Sequence, residues 1–314
     1  MTRQTTRIAI DGVLLLDKPV GITSHSAVQR VRRLLQAAKA GHAGTLDPLA
    51  SGLLPICLGE STKFSAVALN ADKGYDAEVL LGTTTTTGDL EGEIIARAPV
   101  TATRDEVAAV LRSFIGDQAQ TPPMYSALKH EGRPLYAYAR AGRKIEVKPR
   151  RIAIHSIDLH AFAAGRLRIG VRCSKGTYIR VLAEDIGRAL GCGGTLAALR
   201  RVAVGAFRLE HAVRLDELEV MPGSRQLECL LPVDSLAAPL PELVLEADTA
   251  RRTLNGQGSR VQAGGVAGLF RLYDPDRRFL GLGELDADGS LAPKRLVAGH
   301  AGKPPKPLQA PRIA

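Results

Sequence analysis

The chain has no tryptophan and only 4% aromatic residues, so each tyrosine has to be weighed singly rather than as part of an aromatic surface. Four cysteines, at 57, 173, 192 and 229, form no CxxC pair and no zinc-like spacing, which excludes a disulfide scaffold or a structural zinc site as the organising device. They read as reduced thiols, mostly buried. No apolar run approaches the roughly 20 residues needed to span a bilayer, and Met1–Ile8 lacks a continuous apolar leader core. The expectation is a soluble, cytoplasmic protein without a membrane partner. Acid is also in deficit: 42 Lys and Arg face 32 Asp and Glu, leaving +10 and favouring a polyanionic partner.

What is present suits a folded globular protein. The 314 residues, 45% of them hydrophobic, allow one large domain or two. Gly12–Asp17 reads as a short buried strand ended by the turn residues Pro19 and Gly21. Thr23 or Ser24 then caps a helix whose apolar positions run from Ala27 to Ala38, with Gly41 as its stop. Its other face carries Arg30, Arg32, Arg33 and Lys39, a solvated face or a phosphate-facing one. Tyr75, Ala77, Val79 and Leu81 alternate as one face of a strand, on which Tyr75 taken by itself reads as a core tyrosine. An amphipathic helix is expected over 104–115. A further strand over 167–173 hands over, after Ser174–Thr177, to a helix along Ile179, Leu182, Ala183, Ile186 and Leu190. Tyr178 and Arg180 sit at that junction, where side chains often face a cleft.

Gly41-His-Ala-Gly-Thr-Leu-Asp-Pro-Leu-Ala-Ser-Gly52 carries the most chemistry. Pro48 keeps Asp47 out of the α region, Gly44 and Gly52 permit close backbone approach, and Leu53–Ile56 would anchor the loop. A rigidly mounted carboxylate on a loop suits catalysis. The alternative is an Asx-type turn in which Asp47 only organises its own loop.

Residues 121–151 hold eight cations, Lys129, Arg133, Arg140, Arg143, Lys144, Lys148, Arg150 and Arg151, against Glu131 and Glu146, for a net +6. Tyr125, Tyr136 and Tyr138 interrupt the run. Cations interleaved with stacking rings fit RNA loops better than a membrane or a regular duplex. From about Pro239 short glycine-punctuated apolar stretches indicate a small β-rich domain. Lys303–Ala314, with four prolines and three basic residues, reads as an extended or disordered tail.

Taken together, Gly12-Val-Leu-Leu-Leu-Asp-Lys-Pro19, the Gly41–Gly52 segment, Pro123-Met-Tyr-Ser-Ala-Leu-Lys129, Pro134-Leu-Tyr-Ala-Tyr-Ala-Arg140, Cys173-Ser-Lys-Gly-Thr-Tyr-Ile-Arg180, Leu190-Gly-Cys-Gly193 and Leu199-Arg-Arg201 closely resemble the TruB family of bacterial tRNA pseudouridine synthases. The order is the family's, across roughly residues 10 to 215. There are departures: the family commonly holds other small residues at the Ala43 and Thr45 positions, Gly142–Arg150 is longer or shifted against a Gly-x-Glu-Val pattern, and the C-terminal domain matches only loosely.

The resemblance implies an α+β fold: a mixed, largely antiparallel sheet flanked by helices over 1–240, including the basic insertion of about 121–151. A small PUA-like RNA-binding domain over 241–300 and the 301–314 tail would follow. It implies isomerisation of uridine 55 in the T-loop of tRNA by base flipping, with no cofactor, no metal, no obligatory protein partner and a monomeric enzyme acting on the T-arm stem-loop. It assigns Asp47 as nucleophile, Arg180 as its ion-pair partner and Tyr75 as the ring stacked on uracil. His42 would take the place of the flipped nucleotide, Tyr178 and Leu199 would line the uracil pocket, Lys18 with Pro19 would support the catalytic loop, and Lys129 and Arg140 would bind RNA. Its rivals are a non-catalytic RNA-binding or RNA-folding protein, a nucleoside or glycoside hydrolase, which would want a second catalytic carboxylate, and the RNA-guided dyskerin-like branch.

Overall fold

A computed structural model describes residues 7–143, 145–261 and 265–298. The elements that position the site are, in chain order, β1 (Gly12–Lys18), α1 (Ser24–Leu34), β2 (Ala40–His42), β3 (Ala50–Leu58), β4 (Lys73–Leu81), α2 (Arg104–Ser113), β5 (Gly116–Gln120), β6 (Arg150–Ala163), β7 (Arg166–Cys173), α3 (Ile179–Ala189) and β8 (Gly194–Val204). The main sheet runs Val213–Arg214, β1, β3, β8, β4, β7, β6, β5. Only β8 beside β3 and Val213–Arg214 beside β1 are parallel along this path. The fold is therefore α+β with a mixed, largely antiparallel sheet.

The apolar run of β1 is explained by burial on both faces. Because side chains alternate along a strand, Leu14 and Leu16 join α1 and β3 in one core, while Val13 and Leu15 join Phe64, Leu236 and Leu282 in another across the sheet. A third core packs α2 and α3 on β4, β6, β7 and β8. Tyr75 and Leu199 pack against both helix-covered cores, so the seam between those cores runs beneath them.

Two helices end earlier than their periodicity predicts. Helix α1 stops at Leu34 because Gln36 adopts φ 52°, and the Ala37 N–H donates back to the Arg32 carbonyl at 3.0 Å. Gly41 consequently lies in β2, not at a helix end. Two cations of the α1 region have intramolecular work: Arg30 pairs with Glu219 at 3.7 Å, and Arg32 donates to the Ala37 and Ala38 carbonyls. Helix α2, opened by a capping box between Thr103 and Glu106, ends at Ser113 and leaves Ile115 44% exposed.

A second, five-stranded sheet is built from Glu242–Val244, Gly268–Tyr273, Phe279–Leu285, Ser290–Leu296 and Ser259–Arg260. It docks on the face of β1 and β3 opposite α1 through Phe64 and Phe279, whose rings meet edge-on at 5.2 Å, and through Lys63, which donates to the Leu296 carbonyl at 3.0 Å. The basic 301–314 tail lies outside the described residues. Among the described residues no helix is long and apolar enough to cross a membrane.

Candidate active site

Asp47 sits in an excursion between β2 and β3, which pair antiparallel with His42 opposite Ile56. Four ties hold the excursion. The Leu46 N–H donates to Ser24 Oγ at 2.7 Å, whose hydroxyl returns a 2.9 Å bond to the Leu46 carbonyl. The Pro48 carbonyl accepts from Gly21 N–H at 2.8 Å, and Ala43 N–H donates to the Pro55 carbonyl at 3.0 Å. Thr23, not Ser24, caps α1, which frees Ser24 for this role. Below the loop the Arg201 guanidinium donates to the carbonyls of Gly44, Thr45 and Leu53. A Cβ on Gly52, at φ 100°, would stand 2.3 Å from the Arg201 carbonyl oxygen, so only glycine fits there. Within this buried frame the Asp47 side chain stays 46% exposed.

Arg180, one residue into α3, is brought to that carboxylate. Its Nη2 donates to Asp47 Oδ2 at 2.9 Å and to the Tyr125 carbonyl at 2.6 Å, and its Nη1 donates to the Thr87 carbonyl at 3.2 Å. On the far side of the same guanidinium, Asp89 Oδ2 lies 3.3 Å from Nη1 and is buried. The Thr87 hydroxyl and the Glu91 N–H hold the other Asp89 oxygen. A guanidinium clamped on several sides can orient Asp47 without an entropic search. Nothing in the sequence singled out Asp89, which follows the run of threonines at 83–87.

The helix start that carries Arg180 is itself held. Gln120, buried at the end of β5, accepts from the Tyr178 N–H at 2.8 Å and donates to the Tyr178 carbonyl at 3.1 Å, while the Tyr178 side chain makes no cap. The amide thus pairs with Tyr178 as an adjacent strand would. Tyr178 and Leu199 are both partly exposed. Leu199 stands opposite Ala50 on one side and Ala77 on the other, and Tyr75 stands opposite Arg201. Tyr75 is also partly exposed, yet burial around its hydroxyl pushes the phenol above its ordinary value, with the nearby Arg201 charge opposing that shift.

His42 ends β2. Burial first, then the Arg201 and His25 charges, hold its imidazole below the usual histidine range, so the ring is neutral at pH 7. Its buried Nδ1 has no hydrogen-bond partner among the described residues. Lys18 lies entirely inside. Its ammonium donates to the Pro19 and Ile22 carbonyls at 2.8 Å each, and burial lowers it to about 8. It braces the turn whose Gly21 holds Pro48, and its side chain is not at the surface.

In the basic insertion, Lys129 and Arg140 are exposed, and neither makes an ion pair among the described residues. Tyr125 and Tyr136 are exposed as stacking rings require. Tyr138 is not: it is 8% exposed and its hydroxyl donates to the His130 carbonyl at 3.2 Å, because the helix Leu135–Arg140 turns it inward together with Leu135.

The TruB family pseudouridylate synthase (N terminal domain) description matches residues 32–179. The chain is 56% identical to a tRNA pseudouridine synthase B of Methylobacillus flagellatus over 92% of its own length and 95% of that protein. The chain belongs to the TruB family. The tRNA pseudouridylate synthase B C-terminal domain and the pseudouridine synthase II TruB C-terminal descriptions follow at 180–238 and 241–297. A further TruB-family relative, the tRNA pseudouridine synthase B of Aromatoleum aromaticum, is 54% identical over 93% of this chain and 94% of its own. The fold is shared with the Cbf5 chain in an archaeal box H/ACA sRNP Nop10–Cbf5 complex, at a TM-score of 0.70 and 24% identity over 92% of this chain and 86% of that one.

Proposed function

We propose that this protein isomerises uridine 55 in the T-loop of tRNA to pseudouridine, with Asp47 as the covalent nucleophile. The observation that carries the reading is the contact of Arg180 with Asp47 at 2.9 Å: a half-exposed carboxylate, held on a pinned loop by a buried guanidinium, has a geometry that phosphate binding would not require. The names of the TruB relatives support tRNA as the substrate.

The reaction breaks the N1–C1′ bond, turns the detached base and joins C5 to C1′; the C5 proton is lost and N1 gains one, so there is no net redox change. Asp47 can attack either C1′ or C6 of the uracil. Arg180 fixes its orientation, and Tyr75 beneath the base provides a ring on which uracil stacks while detached. The target must leave its loop stack, which costs a few kcal/mol. Neutral His42, five positions before Asp47, can fill the gap left behind, and Tyr178 and Leu199 line the pocket. Lys129 and Arg140 provide phosphate contacts for the T-arm.

The test is incubation of an unmodified T-arm stem-loop with the full chain, followed by mapping of the modified position. Pseudouridine at position 55 alone is expected. Binding without product would favour a purely RNA-binding protein, and release of free uracil would favour a hydrolase; either overturns the reading.

A further inference from the structure

Arg201 is 1% exposed and among the largest fully buried side chains, yet among the described residues its guanidinium donates to backbone carbonyls and has no acid within ion-pair reach. Burying a cation without an acid is costly, and stability alone gives no reason to keep one. Its position supplies a reason. On β8 it stands in register between Gly52 of β3 and Tyr75 of β4, two positions after Leu199. Its side chain passes beneath the loop of Asp47 and lies beside the Tyr75 hydroxyl. Glycine at 52 lets the β8 backbone approach, and a Cβ on Gly44 would come within 3.3 Å of Arg201 Nη1. Two glycines of the catalytic segment are thus fitted around this one residue.

We propose that Arg201 is the positioning residue of this site, tying the Asp47 loop and the Tyr75 ring into one frame and placing a permanent positive charge under the uracil. The inference rests on the functional reading above. Attack at C1′ sends the N1–C1′ electron pair onto the base, and attack at C6 sends the C5–C6 π pair through C5 onto the C4 carbonyl oxygen. By either route the uracil becomes anionic while it lies over Tyr75. A cation already fixed below needs no reorganisation as that charge develops. Arg180 has other work, since its guanidinium is shared between Asp47 and Asp89.

The experiment compares single-turnover pseudouridine formation on the T-arm RNA by the wild type, Arg201→Lys and Arg201→Gln, with RNA affinity and thermal midpoint measured on each. Arg201→Gln is expected to lose about 100-fold in rate with affinity within about threefold, the scale of a misplaced catalytic frame, and Arg201→Lys to recover at least about tenfold of that loss. Should Arg201→Gln not fold, Tyr75→Phe with and without Arg201→Lys decides the matter: non-additive rate losses are expected of residues that act as a unit. Additive losses, or equal losses in Lys and Gln that follow their thermal midpoints, would make Arg201 merely structural. A wild type that turns over beside unaffected variants overturns this inference alone; a wild type that makes no pseudouridine overturns the functional reading with it.

Discussion

Ser24 and Leu46, 22 positions apart, exchange two buried hydrogen bonds that pin the residue immediately before Asp47. Ser24→Ala would leave both Leu46 backbone groups without a partner, at a cost of about 1–3 kcal/mol. Denaturant unfolding should register that loss, and the rate of pseudouridine formation should fall with it because the loop's reference point is gone. An unchanged rate would mean that the other ties suffice.

Asp47→Asn should bind T-arm RNA with near wild-type affinity and form no pseudouridine. Tritium release from C5-labelled uridine measures this directly, and turnover near the parent rate would remove Asp47 as nucleophile.

Asp89 and Asp47 flank the same guanidinium but differ in burial, 4% against 46% exposed side chains. Asp89→Asn should therefore destabilise the fold by on the order of 3 kcal/mol, as breaking a buried pair does, whereas Asp47→Asn should leave the unfolding midpoint almost unmoved. Equal midpoints for the two variants would contradict the burial argument.

Tyr75→Ala should reduce turnover far more than RNA affinity, since the role proposed for the ring is stacking on the base and not holding phosphates. A binding titration beside the rate separates the two. Removing Lys129 and Arg140 should do the reverse: affinity falls, and the log–log salt dependence becomes shallower by about 0.7–0.9 for each phosphate that is no longer neutralised.

Lys18 supplies a pH prediction. Burial lowers its folded-state value to about 8, below the ordinary lysine value that applies when unfolded. Between those two values the unfolded chain binds the extra proton, so this residue's contribution to stability rises with pH above about 8. Denaturation midpoints of the wild type should gain on those of Lys18→Met from pH 8 to 10.

Strands β1, β4 and β7 were legible because burial writes itself as apolar runs and alternation, as in Gly12–Asp17 and Tyr75–Leu81; β3, β6 and β8 were not read, and Leu53–Ile56, taken as a loop anchor, lies within β3. The handover at Tyr178–Arg180 was legible for the same reason, a change of period from two to about 3.6. Helix ends were less so. Gln36 stops α1 in a left-handed conformation that its residue type does not advertise, and Ile115 continues an apolar period after the α2 backbone has turned away. Tyr138 looked like its exposed neighbour Tyr136, because exposure depends on how the insertion folds and not on which residues surround it in the chain.

Local periodicity, backbone preference and charge in the chain itself fix strands β1, β4 and β7, the placing of Asp47 between glycines in a loop and the basic insertion. The folded chain adds what no local pattern carries: how Arg180, paired with Asp47 already by resemblance, reaches it, that buried Asp89 clamps that cation from behind, and that Gln120 and Arg201 hold the neighbouring elements. Those hydrogen bonds join residues 58 to 157 positions apart. Hydrogen bonding and burial act over a few ångströms of space, and strand pairing brings distant parts of the chain within that reach.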